Sequence, residues 1–133
     1  MNKRLKSFVY AGRGIRAVFA SEANMKIHLT IMLLVVIFGF VFQLSAMEWI
    51  ACVLCFGLVA GMEMINTAIE SVVDLVSPEK HPLAAKAKDI AAGAVLVCAI
   101  ISVVVGVIVF LPKIIDFVIC IVNNANHELK IAE

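Results

Sequence analysis

Between Trp49 and Val76 the chain is almost wholly apolar apart from one line of polar side chains: Glu63, Asn66, Thr67, Glu70 and Asp74. At about 100° per residue, all five fall within roughly 60° of Glu63 on a single helical face. Few folds can hold such a stripe. An apolar segment of this length suits a bilayer, where every backbone polar group must be satisfied within the segment, and that selects a helix. A carboxylate near the bilayer centre costs about 2.5–3.5 kcal/mol on insertion scales. A helix carrying that cost needs other helices to enclose the stripe, and the cost points to a function for it.

The rest of the chain supplies those helices. Hydrophobic residues make up 63% of the 133 positions, and the mean hydropathy of +1.07 is above that of an ordinary soluble domain. The length suits one domain. Apolar spans are expected at about residues 27–44, 49–76 and 90–111. Gln43, Ser45 and Glu48 mark the first turn, and Trp49 suits a membrane interface. Ser77-Pro78-Glu79-Lys80-His81-Pro82 forms the second loop, bracketed by prolines that stop the helix. Pro112 is expected to end the third span.

Residues 1–21 interleave Lys3, Arg4, Lys6, Arg13 and Arg16 with Phe8, Val9, Ile15, Val18 and Phe19. This spacing predicts an amphipathic helix on the membrane surface, with Gly12 and Gly14 as a break point. Residues 112–133 form a tail in which Ile114–Val122 is apolar, too short to span and interrupted by Asp116. An interfacial helix with a frayed polar end is expected there. The fold class is therefore all-α integral membrane: an amino-terminal amphipathic surface helix plus three transmembrane helices.

Basic residues concentrate in the amino-terminal arm and at Lys80, Lys86 and Lys88, with none in the first turn. The positive-inside rule then makes the amino terminus and second loop cytoplasmic and places the carboxyl terminus outside. The protein is expected in the cell membrane as a multi-pass chain. No cleavable signal peptide, internal repeat or nucleic-acid partner is expected. Cys52, Cys55, Cys98 and Cys120 all lie in apolar runs, where small core residues are the default and a zinc site or disulfide is not.

The helical rise limits what the stripe can do. Glu63 and Glu70 lie about 10 Å apart along the axis, so one helix cannot present both to one metal ion. Glu70 is nearer the cytoplasmic end, where water, metal and nucleotide are available. Glu63 lies deeper, within reach of a lipid head group, and Asn66 and Thr67 between them can orient both. Glu22, in the polar cluster Glu22-Ala-Asn24-Met-Lys26-Ile-His28, approaches the same level from another helix. Taken alone that cluster is an interfacial collar; with Glu70 it offers hard oxygen ligands for Mg²⁺. Lys80, His81, Lys86 and Lys88 can hold polyphosphate charge. A deep base, shallower metal carboxylates and nearby cations are the parts phosphoryl transfer needs. Gly57 and Gly61 on the opposite face allow close packing in lipid, and three helices enclose a polar stripe poorly without self-association.

At this point the sequence resembles a family, the small prokaryotic membrane diacylglycerol kinases, including the undecaprenol kinases. The resemblance covers about residues 3–111. It rests on Glu63-x-x-Asn66-x-Ala68-Ile69-Glu70-x-Val72-Val73-Asp74, then Glu79-x-His81 and Ala87-Lys88-Asp89. It implies an ATP- and Mg²⁺-dependent lipid kinase, a homotrimer with active sites shared between subunits, whose kinase domain is residues 1–111. By matching position, Glu63 is the catalytic base and Asn66 organises the site. Glu22 and Glu70 are the metal ligands. Tyr10, Glu79, His81, Lys88 and Asp89 contact nucleotide, with Lys80 between two of them. The spacing Glu22-x-Asn24-x-Lys26-Ile27-His28 is more similar to the Gram-positive-type branch, whose acceptor is undecaprenol; diacylglycerol is the alternative acceptor. A more distant alternative is a small ion-coupled transporter, since intramembrane carboxylates also mark ion pathways. Such a protein would need no ATP, and the Glu/Lys/His loop would have no task in it.

Overall fold

The computed structural model describes the backbone of residues 3–132 and the side chains of residues 4–125 and 127. It is all helix: α1 (Lys3–Ser21), α2 (Ala23–Val41), α3 (Ala46–Val76) and α4 (Pro82–Ala132). Three segments are long and apolar enough to cross a membrane: Ala23–Val41, Ala46–Val76 and Pro82–Ala125. The helix α3 is central. It packs along α4, carries α2 on another side and is touched by α1 near the α1–α2 junction. Its buried residues, Cys52, Cys55, Val59, Glu63 and Asn66, recur every three or four positions. The polar stripe is thus the continuation of an apolar core stripe and faces the other helices.

Local chemistry sets the helix ends. Glu22, in extended geometry, separates α1 from α2 without glycine or proline. At the end of α2, Gln43 takes a left-handed φ of 50°. Its N–H donates to the Phe40 carbonyl at 3.2 Å and that of Leu44 to the Gly39 carbonyl at 3.0 Å. This is the Schellman closure usually built on glycine, and the first span accordingly stops at Val41 rather than near residue 44. Ser45 then caps α3 through a capping box. The Glu48 N–H donates to Ser45 Oγ at 3.4 Å and the Ser45 N–H to Glu48 Oε2 at 2.6 Å. That box starts the helix at Ala46, ahead of Trp49. Pro82 occupies the first turn of α4, where its missing N–H has no intrahelical partner to lose.

Two expected breaks do not occur. The helix α1 runs unbroken through Gly12 and Gly14, because a helix interior tolerates glycine at about 1 kcal/mol. The helix α4 continues through Pro112, which corrects its expected end there. A proline removes one backbone hydrogen bond, here the one the Ile108 carbonyl would accept, and contacts on both sides hold the helix on course. The Phe42 ring packs edge-on against Phe110 at 6.3 Å and Phe117 at 5.9 Å, bridging the proline. Lys113 Nζ reaches Glu48 Oε2 at 3.2 Å. Asp74 and Lys88 pair at the other end, as the antiparallel course of α3 and α4 requires. All four cysteines are free.

The core at the Glu48 end is purely packing. Leu44, Cys52 and Val109 are buried there, with Phe42, Trp49 and Phe56 around them. A Cβ added at Gly39 would lie 2.6 and 2.8 Å from Trp49 ring carbons, so the absent side chain is what lets the indole seat against α2. Gly39→Val is expected to lower thermal stability in detergent by about 1–3 kcal/mol, and adding Trp49→Leu should recover part of the loss. A wild-type melting midpoint for Gly39→Val would contradict this packing.

Candidate active site

Glu63 and Asn66 are 1% and 6% exposed, the two buried polar residues among those described. Every other helix also contributes buried positions: Val18 of α1, Met25 of α2, which is wholly buried, and Ala91 and Val95 of α4. Asn66 Nδ2 donates to Glu70 Oε1 at 3.1 Å, which orients the half-buried Glu70 carboxylate. Asn66 Oδ1 and Glu63 Oε2 have no hydrogen-bond partner among the described residues. Buried polar atoms are paired in the great majority of cases, so two orphaned acceptors on one helical face form a site that wants a donor, such as a hydroxyl, or a cation.

Thr67 does not orient the carboxylates as the stripe pattern suggested. Its hydroxyl donates to the Glu63 backbone carbonyl at 3.0 Å, and the Ser71 hydroxyl likewise goes to the Thr67 carbonyl at 2.8 Å. In an apolar setting this i−4 bonding satisfies the hydroxyl locally. Asn66 is the residue that links the stripe.

Glu22 is half-buried at the α1–α2 junction, where its Oε1 accepts from Ser21 Oγ at 2.9 Å. Its side chain caps no helix. Among the described residues no three His, Cys, Asp or Glu side chains gather as a closed metal cage. A hard cation such as Mg²⁺ takes as few as one or two carboxylates and completes its shell with phosphate oxygens and waters. Glu22 and Glu70 supply that kind of hard donor.

Farther along the axis, Lys88 Nζ donates to Asp74 Oδ1 at 3.0 Å and Oδ2 at 3.2 Å. Beside this pair the loop between α3 and α4 forms an open cleft of about 550 Å³ lined by Asp74, Ser77, Glu79, Lys80, His81 and Lys88. The Leu83 N–H donates to His81 Nδ1 at 3.2 Å, so His81 caps α4 and leaves Nε2 for a ligand. Glu79, Lys80 and Asp89 are exposed. Tyr10 lies exposed on α1 with the Arg13 guanidinium 5.8 Å from its ring centre. The structure therefore places Glu63, Asn66 and the half-buried Glu70 on one face of α3, with Asn66 bonded to Glu70, and Glu79, Lys80, His81 and Lys88 around one cleft. Tyr10 and Asp89 join neither through a hydrogen bond among the described residues.

Sequence reasoning misses the wholly buried Met25. Met25 falls at i+3 from Glu22, and Met25, Leu29 and Met32 repeat at i, i+4 and i+7, the signal that marks them as the inward face of α2.

Residues 9–110 match the sequence model of the family described as prokaryotic diacylglycerol kinase. An undecaprenol kinase of Bacillus subtilis is 46% identical over 114 residues, which is 86% of this chain and 93% of that protein. A diacylglycerol kinase of Synechocystis is 40% identical over 116 residues, covering 86% of this chain and 66% of that protein. A diacylglycerol kinase of Escherichia coli is 32% identical over 100 residues, 75% of this chain and 82% of that protein.

Glu63→Gln keeps the side chain's shape and removes a charge that has no partner in its burial. The variant is expected to fold and to gain on the order of 1 kcal/mol or more of stability, read as a raised melting midpoint in detergent. A midpoint several degrees lower would mean that a bond to the carboxylate holds the fold together.

Proposed function

The chain belongs to the prokaryotic diacylglycerol kinase family, and from that premise we propose that it phosphorylates undecaprenol, with Glu63 as the base. It is a lipid kinase that uses ATP. The observation that carries the site assignment is the pair of orphaned buried acceptors, Glu63 Oε2 and Asn66 Oδ1. An alcohol is the ligand that supplies a donor there. Its O–H would donate to Glu63 Oε2, and its oxygen would attack the terminal phosphorus of ATP as Glu63 takes the proton. The bond from that phosphorus to the bridging oxygen breaks, leaving ADP and the phosphorylated lipid.

The resident groups divide the remaining work. Glu22 and Glu70 would hold Mg²⁺, which when bound neutralises charge on the phosphates. Asn66 keeps Glu70 oriented through its 3.1 Å hydrogen bond. Glu79, Lys80, His81, Lys88 and Asp89 are assigned to the nucleotide, with Tyr10 approaching from α1. An apolar cavity of about 170 Å³, lined by Met25, Leu29, Met32, Cys55, Phe56 and Val59 among others, lies along the same inward face of α3. It suits the tail of the acceptor.

Undecaprenol is favoured over diacylglycerol by the 46% identity across nearly the whole of an undecaprenol kinase and by the polar run from Glu22 to His28. The remaining assignments complete the reading. The amphipathic α1 lies on the cytoplasmic face, the amino terminus and active site are cytoplasmic, and the carboxyl terminus is outside. The kinase unit is residues 1–111. The active unit is a homotrimer, supported by Gly57 and Gly61, where an added Cβ would meet nothing within 4 Å in a single chain.

Purified protein given ATP labelled at the terminal phosphate should label undecaprenol at a higher kcat/KM than diacylglycerol in the same micelles. Chelation of Mg²⁺ should stop both reactions. Preference for diacylglycerol would reverse the acceptor assignment, and activity undiminished by chelation would remove the metal role of Glu22 and Glu70.

A further inference from the structure

Asp74 ends the polar stripe, and the chemistry above leaves it without a task. Its carboxylate nevertheless holds Lys88 through both oxygens, at 3.0 and 3.2 Å. We propose that Asp74 is a positioning residue: it aims the Lys88 ammonium into the cleft at the α3–α4 loop, where that ammonium meets a nucleotide phosphate. The proposal rests on Lys88 being a nucleotide contact.

The geometry carries this in three steps. A lysine ammonium has three N–H donors and no acceptor. The two oxygens of one carboxylate lie too close together to take two separate N–H groups, so Asp74 holds the ammonium by one edge and leaves donors for a ligand, and both residues line the same cleft as Ser77, Glu79, Lys80 and His81. A free lysine head on a four-carbon stem samples many rotamers, and holding it cuts the ordering cost at binding. Soluble protein kinases use the same arrangement, in which a carboxylate from one helix holds the lysine that binds ATP phosphates.

A purely structural role fits the pair less well. The side chains of Lys88 and Asp74 are 36% and 66% exposed, and exposed ion pairs add little to stability. The helices are already joined here by a short loop carrying Pro78, with Pro82 opening α4. The pair is therefore better suited to aiming a charge than to holding the fold.

The test is ATP titration of the full-length protein in lipid–detergent micelles at saturating lipid, beside thermal melts. Asp74→Asn should raise the KM for ATP about three- to tenfold while kcat and the melting midpoint stay near wild type. Asp74→Glu should restore most of the KM. Lys88→Met should raise the KM further, and Asp74→Asn added to Lys88→Met should change nothing more. If Lys88→Met raises the KM and Asp74→Asn does not, the positioning role is overturned and the nucleotide site stands. A wild-type KM for Lys88→Met would overturn the nucleotide reading of Lys88 and this proposal with it. A midpoint that falls together with activity in Asp74→Asn, unrescued by Asp74→Glu, would make the pair a structural clamp.

Discussion

A carboxylate deprived of water and given no partner is the constraint that the rest of the molecule accommodates. Glu63 sits on the inward face of the central helix, 1% exposed, with one oxygen unbonded. Desolvating a charge without a partner is among the costliest things a fold can do. The arrangement is tolerated because α3 packs along α4 and contacts α2 and α1, and because the other part of the same stripe, Cys52, Cys55 and Val59, is ordinary core. The apolar half supplies the packing that offsets the polar half. Stability and reactivity are divided along one helix.

That division runs as a gradient along the α3 axis. The Glu48 end is built of Trp49 against Gly39, Phe42 between Phe110 and Phe117, and the Glu48–Lys113 contact. Nothing there offers chemistry. The middle holds Glu63 and Asn66, buried and incompletely bonded among the described residues, with the half-buried Glu70 beside them. The far end holds Asp74, Lys88 and the loop, wet and charged. A lipid alcohol arrives from hydrocarbon and a nucleotide from water, and the order of side chains matches those two approaches. Each turn of helix moves a group by about 5.4 Å, so the division of labour follows directly from residue spacing.

Much of this was legible in the sequence. The three spans followed from hydropathy and the stripe from helical periodicity, and the residues carrying the family resemblance were in plain view. What failed were inferences from single residues. Pro112 was read as a stop, yet one lost backbone bond is outweighed by Phe42 gripping both sides of it. Gly12 and Gly14 are able to interrupt a helix, yet a mid-helix glycine costs too little to force a break. The start of α3 was misplaced because the Ser45-x-x-Glu48 capping box went unused. The role given to Thr67 failed for a different reason: in an apolar helix its hydroxyl bonds to the backbone one turn back, which pattern alone does not reveal. The burial of Met25 and the hold of Asp74 on Lys88 depend on how helices pack, and one-dimensional periodicity carries that only faintly.

The central claim is that the buried carboxylate is there to take a proton from a membrane alcohol. Its most direct test is single-turnover phosphate transfer by Glu63→Gln at saturating ATP and undecaprenol, on protein that still melts cooperatively. Removal of a general base predicts a fall of about 10²–10⁴-fold in the transfer rate with the KM for ATP unchanged. A rate within a few fold of wild type would contradict the account, because Glu63 would then be a buried charge with no part in the chemistry.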